Sequence, residues 1–268
     1  MIRLTDMEFE EIVTYMREHY GINLQKKKVL IECRMSRELE KRGIASFTQY
    51  LELLRRDRSG KAAGVMVDRL TTNYTYFMRE SSHFDILNDE ILPELFAKRY
   101  PGICSIWIAG CSTGEEVYSI AMLLQDYRKK HEKLPAIRIL ATDISEEALK
   151  KAELGIYPKR ELEKLPEPWQ HMYCRERDKN TFEVDGKLRY NVRFRVHNLM
   201  DPVLGTDKFD LILCRNVMIY FDKQSRKRLI KQLENCLDEG GYLMVGHAEL
   251  LARDETTMES VHSVVYRK

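Results

Sequence analysis

Apolar and polar residues alternate with two different periods along the chain, and the change falls near residue 100. Before it the period is helical. In TDMEFEEIVTYMREHY, Phe9, Ile12, Val13 and Met16 recur at spacings of three and four, and Thr5 stands where a cap belongs. A second helix is predicted over about 26–42, stopping at Gly43, and a third after Ser46 through FTQYLELLRR. DRSGKAAG breaks the pattern before a fourth helical stretch near 65–70. No strand pattern occurs in this part, so 1–75 is expected to be an all-helical domain.

From about residue 103 short apolar runs take over: CSIWIAG, AIRILATD, VRFRVHN, FDLILCRN and GYLMVGH, most of them separated by helical segments. That alternation predicts a parallel sheet covered by helices on both faces over 76–268, with VHSVVYRK as a last edge strand. One stretch interrupts it. NTFEVDGKLRYNV alternates around Asp185-Gly186, a strong turn signal, and predicts a small added β-hairpin subdomain at about 172–192.

Composition narrows the class. With 44 basic and 42 acidic residues the net charge is only +2, so there is no overall nucleic-acid signal and any basic docking surface must be local. The start is too charged for a secretory signal, and no apolar run approaches the roughly 18 residues that span a membrane. Six scattered cysteines without a C-x-x-C pair fit reduced cytoplasmic thiols. His83, His197 and His247 occur singly, without ligand spacing, and are taken as structural; no metal is expected.

The chemistry is sharpest at Ile106–Ser119, IWIAGCSTGEEVYS, a strand, a glycine turn and a helix start. It has neither the P-loop lysine nor the third glycine of a dinucleotide fingerprint. Glu115 and Glu116 would repel a pyrophosphate at a place that otherwise favours anions. They suit a ligand with hydroxyls or positive charge. Asp143 ends the next strand, where a ribose-binding acid belongs, and Asn198 and Arg215-Asn216 end two others. Open α/β sheets bind ligands at these strand ends. A nucleoside without phosphate and with a cationic centre fits, namely S-adenosylmethionine.

At these residues the chain resembles the CheR chemotaxis receptor methyltransferases, over nearly its whole length. The resemblance is carried, in order, by LTTNYTYFMRE, AGCSTGEEVYSIA, ATDIS, CRNVMIYFDK and GGYLMVGHAE. It implies a class I (Rossmann-like) doubly wound α/β methyltransferase with an N-terminal helical domain and a small inserted β-subdomain. It also implies S-adenosyl-L-methionine as cofactor, S-adenosyl-L-homocysteine as product, and glutamate side chains of chemoreceptors as methyl acceptors. Matched position by position, it implies cofactor contacts from Asn73, Thr75, Arg79, Glu116, Asp143, Asn198, Leu199, Arg215 and Asn216, with Tyr220 and Arg79 beside the transferable methyl.

The expected partner is the cytoplasmic helical domain of a chemoreceptor, met by a monomer without nucleic acid or membrane insertion. On the second helix Lys27, Arg34, Arg37 and Lys41 fall on one stripe without an acid to pair with, since Glu32 and Glu40 point elsewhere and Glu38 only borders it. Family members present a basic helix here to acidic methylation helices. Some also capture a receptor tail by adding a strand to the β-subdomain. The alternating charges Glu183, Asp185, Lys187 and Arg189 defend an edge against such pairing and favour docking through the stripe. Competing readings are a nicotinamide dehydrogenase, an RNA methyltransferase and a non-catalytic S-adenosylmethionine-binding regulator. The missing glycine opposes the first, and Arg79 with Tyr220 opposes the last.

Overall fold

The computed structural model describes residues 2–202 and 208–268. Four helices lead: α1 (Asp6–Tyr20), α2 (Lys28–Lys41), α3 (Phe47–Arg56) and α4 (Lys61–Leu70). Thr5 caps α1 in a full capping box with Glu8, and Ser46 caps α3 through Gln49 N. These caps satisfy donors that a helix start leaves open. The apolar stripes of all four helices close on one another around Ile12, Met16, Ile31, Met35, Phe47 and Met66, forming their own core.

A linking stretch follows, with α5 (Ser82–Ile86), a π turn at Leu87–Ile91 and α6 (Leu92–Arg99). The main sheet then begins: β1 (Ile103–Ala109), α7 (Glu115–Lys130), β2 (Ala136–Asp143) and α8 (Glu146–Leu154). After an inserted stretch, β3 (Ile156–Pro158), α9 (Glu167–Tyr173), β4 (Cys174–Glu176) and β5 (Thr181–Val184), the main sheet resumes. It continues through β6 (Val192–Val196), β7 (Phe209–Cys214), α10 (Lys223–Cys236), β8 (Leu237–Val245), β9 (Glu259–His262) and β10 (Val265–Arg267).

The seven strands lie in the order β6-β2-β1-β7-β8-β10-β9. The first five are mutually parallel; β10 runs antiparallel to its neighbours β8 and β9. Central strands buried on both faces explain the unbroken apolar runs: every residue of β7 is buried. The order reverses between β2 and β7 on either side of β1, which opens a crevice at the carboxyl end of β1. The terminal run VHSVVYRK supplies the end of the edge strand β9 and all of β10, which lies between β8 and β9, so it reaches the edge but its last strand is not the edge. No helix of the described residues is long and apolar enough to cross a membrane.

The added β element differs from the predicted hairpin. It is a three-stranded sheet in the order β3-β5-β4, and its tight turn lies at residues 177–180. There Asp178 accepts from the backbone of Asn180 and Thr181 and from the Thr181 hydroxyl. Asp185-Gly186 opens a 3-10 turn instead. The Asp185 side chain caps Lys187 N at 2.9 Å, and Leu188 turns into the core. The Asx cap and the burial of Leu188 outweigh the Asp-Gly hairpin preference. β5, which carries Glu183, is the central strand and not an edge. Glu183 pairs with Arg189 at 3.0 Å and Asp185 with Arg175 at 3.2 Å, so three of the four alternating charges are engaged within the subdomain.

Candidate active site

The glycine turn sits at the crevice. Gly110 has φ +81°, and a Cβ there would lie 2.3 Å from Val217 Cγ2. Gly114, at φ +93°, starts α7 where a Cβ would lie 2.7 Å from Ala152. Between them Ser112 takes φ +50° and donates its backbone N–H to Asp143 Oδ2 at 2.7 Å. Ser145 N donates to Asp143 Oδ1 at 2.9 Å. The β2 carboxylate thus braces both the β1 turn and the start of α8, and keeps further lone pairs for a ligand in the cavity it lines. Burial pushes the Asp143 carboxyl up, against these backbone bonds.

The adjacent acids divide the roles. Glu115 is buried, accepts from Thr113 Oγ1 at 2.6 Å and is pushed up by burial. Glu116 faces the cavity and accepts from Arg215 Nη1 at 3.1 Å. Arg215, whose side chain is 1% exposed, also reaches Glu80 at 3.2 Å and the carbonyl of Arg79. Asn216, at φ +59°, donates to the other Glu80 oxygen at 3.1 Å. Burial raises the Glu80 carboxyl, but Asn216 and Arg215 outweigh it and hold it below its usual range. Glu249, fully buried, accepts the backbone N–H groups of Asn216, Ile219 and Gly246 and fixes the loop after β7.

This network presents Arg79. The flanking residues Met78 and Glu80 both have positive φ, +55° and +56°, an unfavourable geometry for residues with side chains. Met78 N is tied to Ser119 Oγ at 3.1 Å and Glu80 to Arg215 and Asn216, so both are pinned. Arg79 between them donates to the Tyr74 carbonyl at 2.9 Å and lies 5.9 Å from the ring centres of Tyr74 and Tyr76.

The helical domain forms the opposite wall. Ile22 pairs with Phe221 in an isolated bridge, Asn23 N donates to Tyr220 O at 2.8 Å, and Tyr220 and Phe221 pack on the helical core. Asp68 of α4 accepts from Ser145 Oγ at 2.6 Å, and Arg69 pairs with Glu147 at 3.0 Å, anchoring α4 to α8. The cavity between is lined by Asn73, Thr75, Arg79, Glu116, Asp143, Asn198, Leu199, Arg215, Asn216 and Tyr220, so every cofactor and methyl-side residue expected from the sequence meets there.

Two of those residues have side-chain duties of their own. The Asn198 amide donates to His19 O at 2.8 Å and its oxygen accepts from Met200 N at 3.0 Å, which locks the chain after β6 onto the end of α1. Arg215 is the strut described above. The sequence reading missed Tyr20, Asn23 and His197, which line the same cavity. His197, reserved as structural, has its Nε2 buried without a hydrogen-bond partner among the described residues. Nothing in local sequence marks Tyr20 and Asn23, because they reach the site only through domain packing, whereas His197 directly follows β6 and its strand-end position could have found it.

The basic stripe is partly reassigned. Lys27 precedes α2 and lines the cavity. Arg34 donates to the carbonyls of Arg69 and Thr71 at 3.1 and 3.0 Å and fastens α2 to the loop leading to Asn73. Arg37 and Lys41 are exposed. Glu38 is buried and pairs with Arg42 at 2.6 Å and Arg69 at 2.9 Å. Glu80 and His83, three residues apart, and the distant His247 each bring one ligand atom to within 4.8 Å of the others beside the Arg215 network. Burial, then Arg215, pushes His83 down to about 4, so it is neutral near neutral pH.

Comparison with known proteins finds relatives over most of the chain. The model of the CheR methyltransferase all-alpha domain matches residues 7–71, and that of the CheR methyltransferase SAM binding domain matches 73–267. The chain is 39% identical to a chemotaxis protein methyltransferase of Borreliella burgdorferi over 272 residues, covering 100% of this chain and 96% of that one. It is 33% identical to one from Vibrio parahaemolyticus over 253 residues, covering 93% and 91%. A solved S-adenosylmethionine-dependent methyltransferase from Clostridium acetobutylicum aligns at a TM-score of 0.35 and 18% identity, covering 60% of this chain and 49% of that one. With family models matching nearly its whole length and S-adenosylmethionine as its cofactor, the chain belongs to the CheR methyltransferase family.

Proposed function

We propose that the protein transfers the methyl group of S-adenosylmethionine to glutamate side chains on the cytoplasmic helices of chemoreceptors, giving γ-carboxyl methyl esters. The observation that carries this reading is the joining in one cavity of Asp143 and Glu116 from the sheet with Arg79 and Tyr220. The first pair suits the hydroxyls and positive charge of the cofactor. The second suits a carboxylate arriving beside the methyl. Curated relatives bearing the name chemotaxis protein methyltransferase support the class of acceptor.

The reaction is an in-line displacement. A glutamate oxygen attacks the methyl carbon, the carbon–sulfur bond breaks, and its electron pair returns to sulfur, leaving a neutral thioether. An acceptor with an ordinary pKa near 4.3 is already ionised at neutral pH, so no general base is required. Catalysis lies in alignment and in removing water from the attacking oxygen. Arg79, already bonded to the Tyr74 carbonyl, has part of its donor set engaged and orients the acceptor without gripping it tightly. A tight grip would stabilise the ground state and slow transfer. Exposed Arg37 and Lys41, with Lys27 at the cavity, steer an acidic receptor helix by charge.

The test is tritiated-methyl transfer from S-adenosylmethionine to receptor-containing membranes, followed by mild base. Label on the receptor that base releases as methanol is the expected result. Label that resists base, or that appears only on RNA, would overturn the assignment.

A further inference from the structure

We propose that Glu80, His83 and His247 form a binding site for one divalent transition-metal ion of the zinc class. Glu80 Oε2 lies 3.6 Å from His83 Nε2 and 3.6 Å from His247 Nδ1, and one donor atom from each of the three lies within 4.8 Å of the others. A tetrahedral ion with bonds of about 2.0–2.1 Å needs donors roughly 3.4 Å apart. Both edges from Glu80 are near that separation. The histidine–histidine edge closes by rotation of His247, whose side chain is 55% exposed.

A second observation points to a ligand. His83 is 0% exposed, and neither of its ring nitrogens has a hydrogen-bond partner among the described residues. A buried imidazole without a partner is costly, and a metal on Nε2 removes the cost at that nitrogen. The carboxylate is held as metal ligands usually are: Asn216 donates to Oε1 and Arg215 to Oε2, which leaves lone pairs for an ion. The Arg215 guanidinium opposes a cation, but it is shared between Glu80 and Glu116, so the group as a whole carries excess negative charge. Two imidazoles and one carboxylate select zinc, cobalt or nickel over magnesium or calcium, which prefer oxygen. Exposed His247 supplies the entry side and an open position for water. The ion would tie the Glu80–His83 segment, on the Arg79 side of the cavity, to the loop after β8.

The experiment uses the full chain, stripped with a chelator and titrated with Co2+ while the visible d–d absorption is followed. The wild type should bind one equivalent, with Zn2+ abolishing the signal and raising Tm. His247→Gln, at an exposed position, should weaken Co2+ at least about 10-fold. His83→Gln should do the same, its folding checked by S-adenosylhomocysteine binding. His262→Gln, on β9 and outside the cluster, should bind as the wild type does. Equal Co2+ affinity in wild type and His247→Gln, or no d–d absorption in the wild type, would overturn the proposal.

Discussion

Replacing Asp143 by Asn separates two duties of one carboxylate. Its oxygens accept Ser112 N at 2.7 Å and Ser145 N at 2.9 Å, and the residue lines the cofactor cavity. The amide keeps the shape but turns one acceptor into a donor. Whichever way it sits, one of the two buried N–H groups then faces another donor. Leaving such a group unpaired costs about 1–3 kcal/mol of stability. The hydroxyl contact proposed for the ribose is to a charged acceptor, worth about 1.5–3 kcal/mol, or about 10- to 100-fold in affinity. We expect Asp143→Asn to melt lower than wild type and to bind S-adenosylhomocysteine about 10- to 100-fold more weakly.

Calorimetry with a second ligand distinguishes the two effects. An analogue lacking both ribose hydroxyls cannot use the carboxylate directly. It should lose little affinity on substitution, whereas S-adenosylhomocysteine loses most of the predicted factor. If both ligands weaken equally, Asp143 acts only through the shape of the turn, and the ribose assignment is wrong. Unchanged affinity for S-adenosylhomocysteine would refute both parts of the reasoning.

Arg79→Ala and Tyr220→Phe should each slow methyl transfer by roughly 10-fold or more while changing S-adenosylhomocysteine affinity far less; unchanged turnover in both would remove them from the reacting centre. Gly110→Ala places a Cβ 2.3 Å from Val217 at φ +81°, so it should destabilise by more than about 1–2 kcal/mol, and adding Val217→Ala should recover part of that; a wild-type melt for Gly110→Ala would contradict the packing. Burial raises Glu38, but Arg42 and Arg69 outweigh it and hold the folded carboxyl below 4.5, so its stabilisation is present above that pH and lost as pH falls. The melting gap between wild type and Glu38→Gln should therefore shrink from about pH 5 to about pH 3, and a constant gap would argue against the ion pairs. Arg37→Glu/Lys41→Glu should abolish most receptor methylation and its salt dependence, since exposed charges are screened beyond about 10 Å at 0.1 M salt; normal methylation by this variant, with activity lost on removing the receptor tail, would place docking on the β-subdomain instead.

Strands buried in the sheet were legible because runs as short as ILATD and LILC, rich in branched residues and set between helical segments, suit strands better than helices. Helix starts were legible at Thr5 and Ser46, where the cap is a local side-chain bond. The β-subdomain was misread because Asp-Gly serves equally as a hairpin turn and as an Asx cap. The choice was made by burial of Leu188, a tertiary fact. The terminal run was read as one edge strand where it holds the end of β9 and all of β10, because the turn between them leaves little mark in so short a stretch.

The site divides along the same line. Residues at strand ends could be found because sheet topology sends them to one crevice whatever their separation in sequence. Side chains that arrive from another domain, Tyr20 and Asn23, follow no such rule. The basic stripe shows the limit of periodicity. Helical spacing put Arg34 in line with Arg37 and Lys41, but not in the same environment, since two carbonyls at the end of α4 claim its guanidinium. Arg215 shows the converse. Read as one more strand-end ligand, it is the member that joins Glu116 of α7 to Glu80 beside Arg79. One buried guanidinium therefore ties together the two acids that flank the proposed cofactor and acceptor contacts, a link visible only when both acids are in place around it.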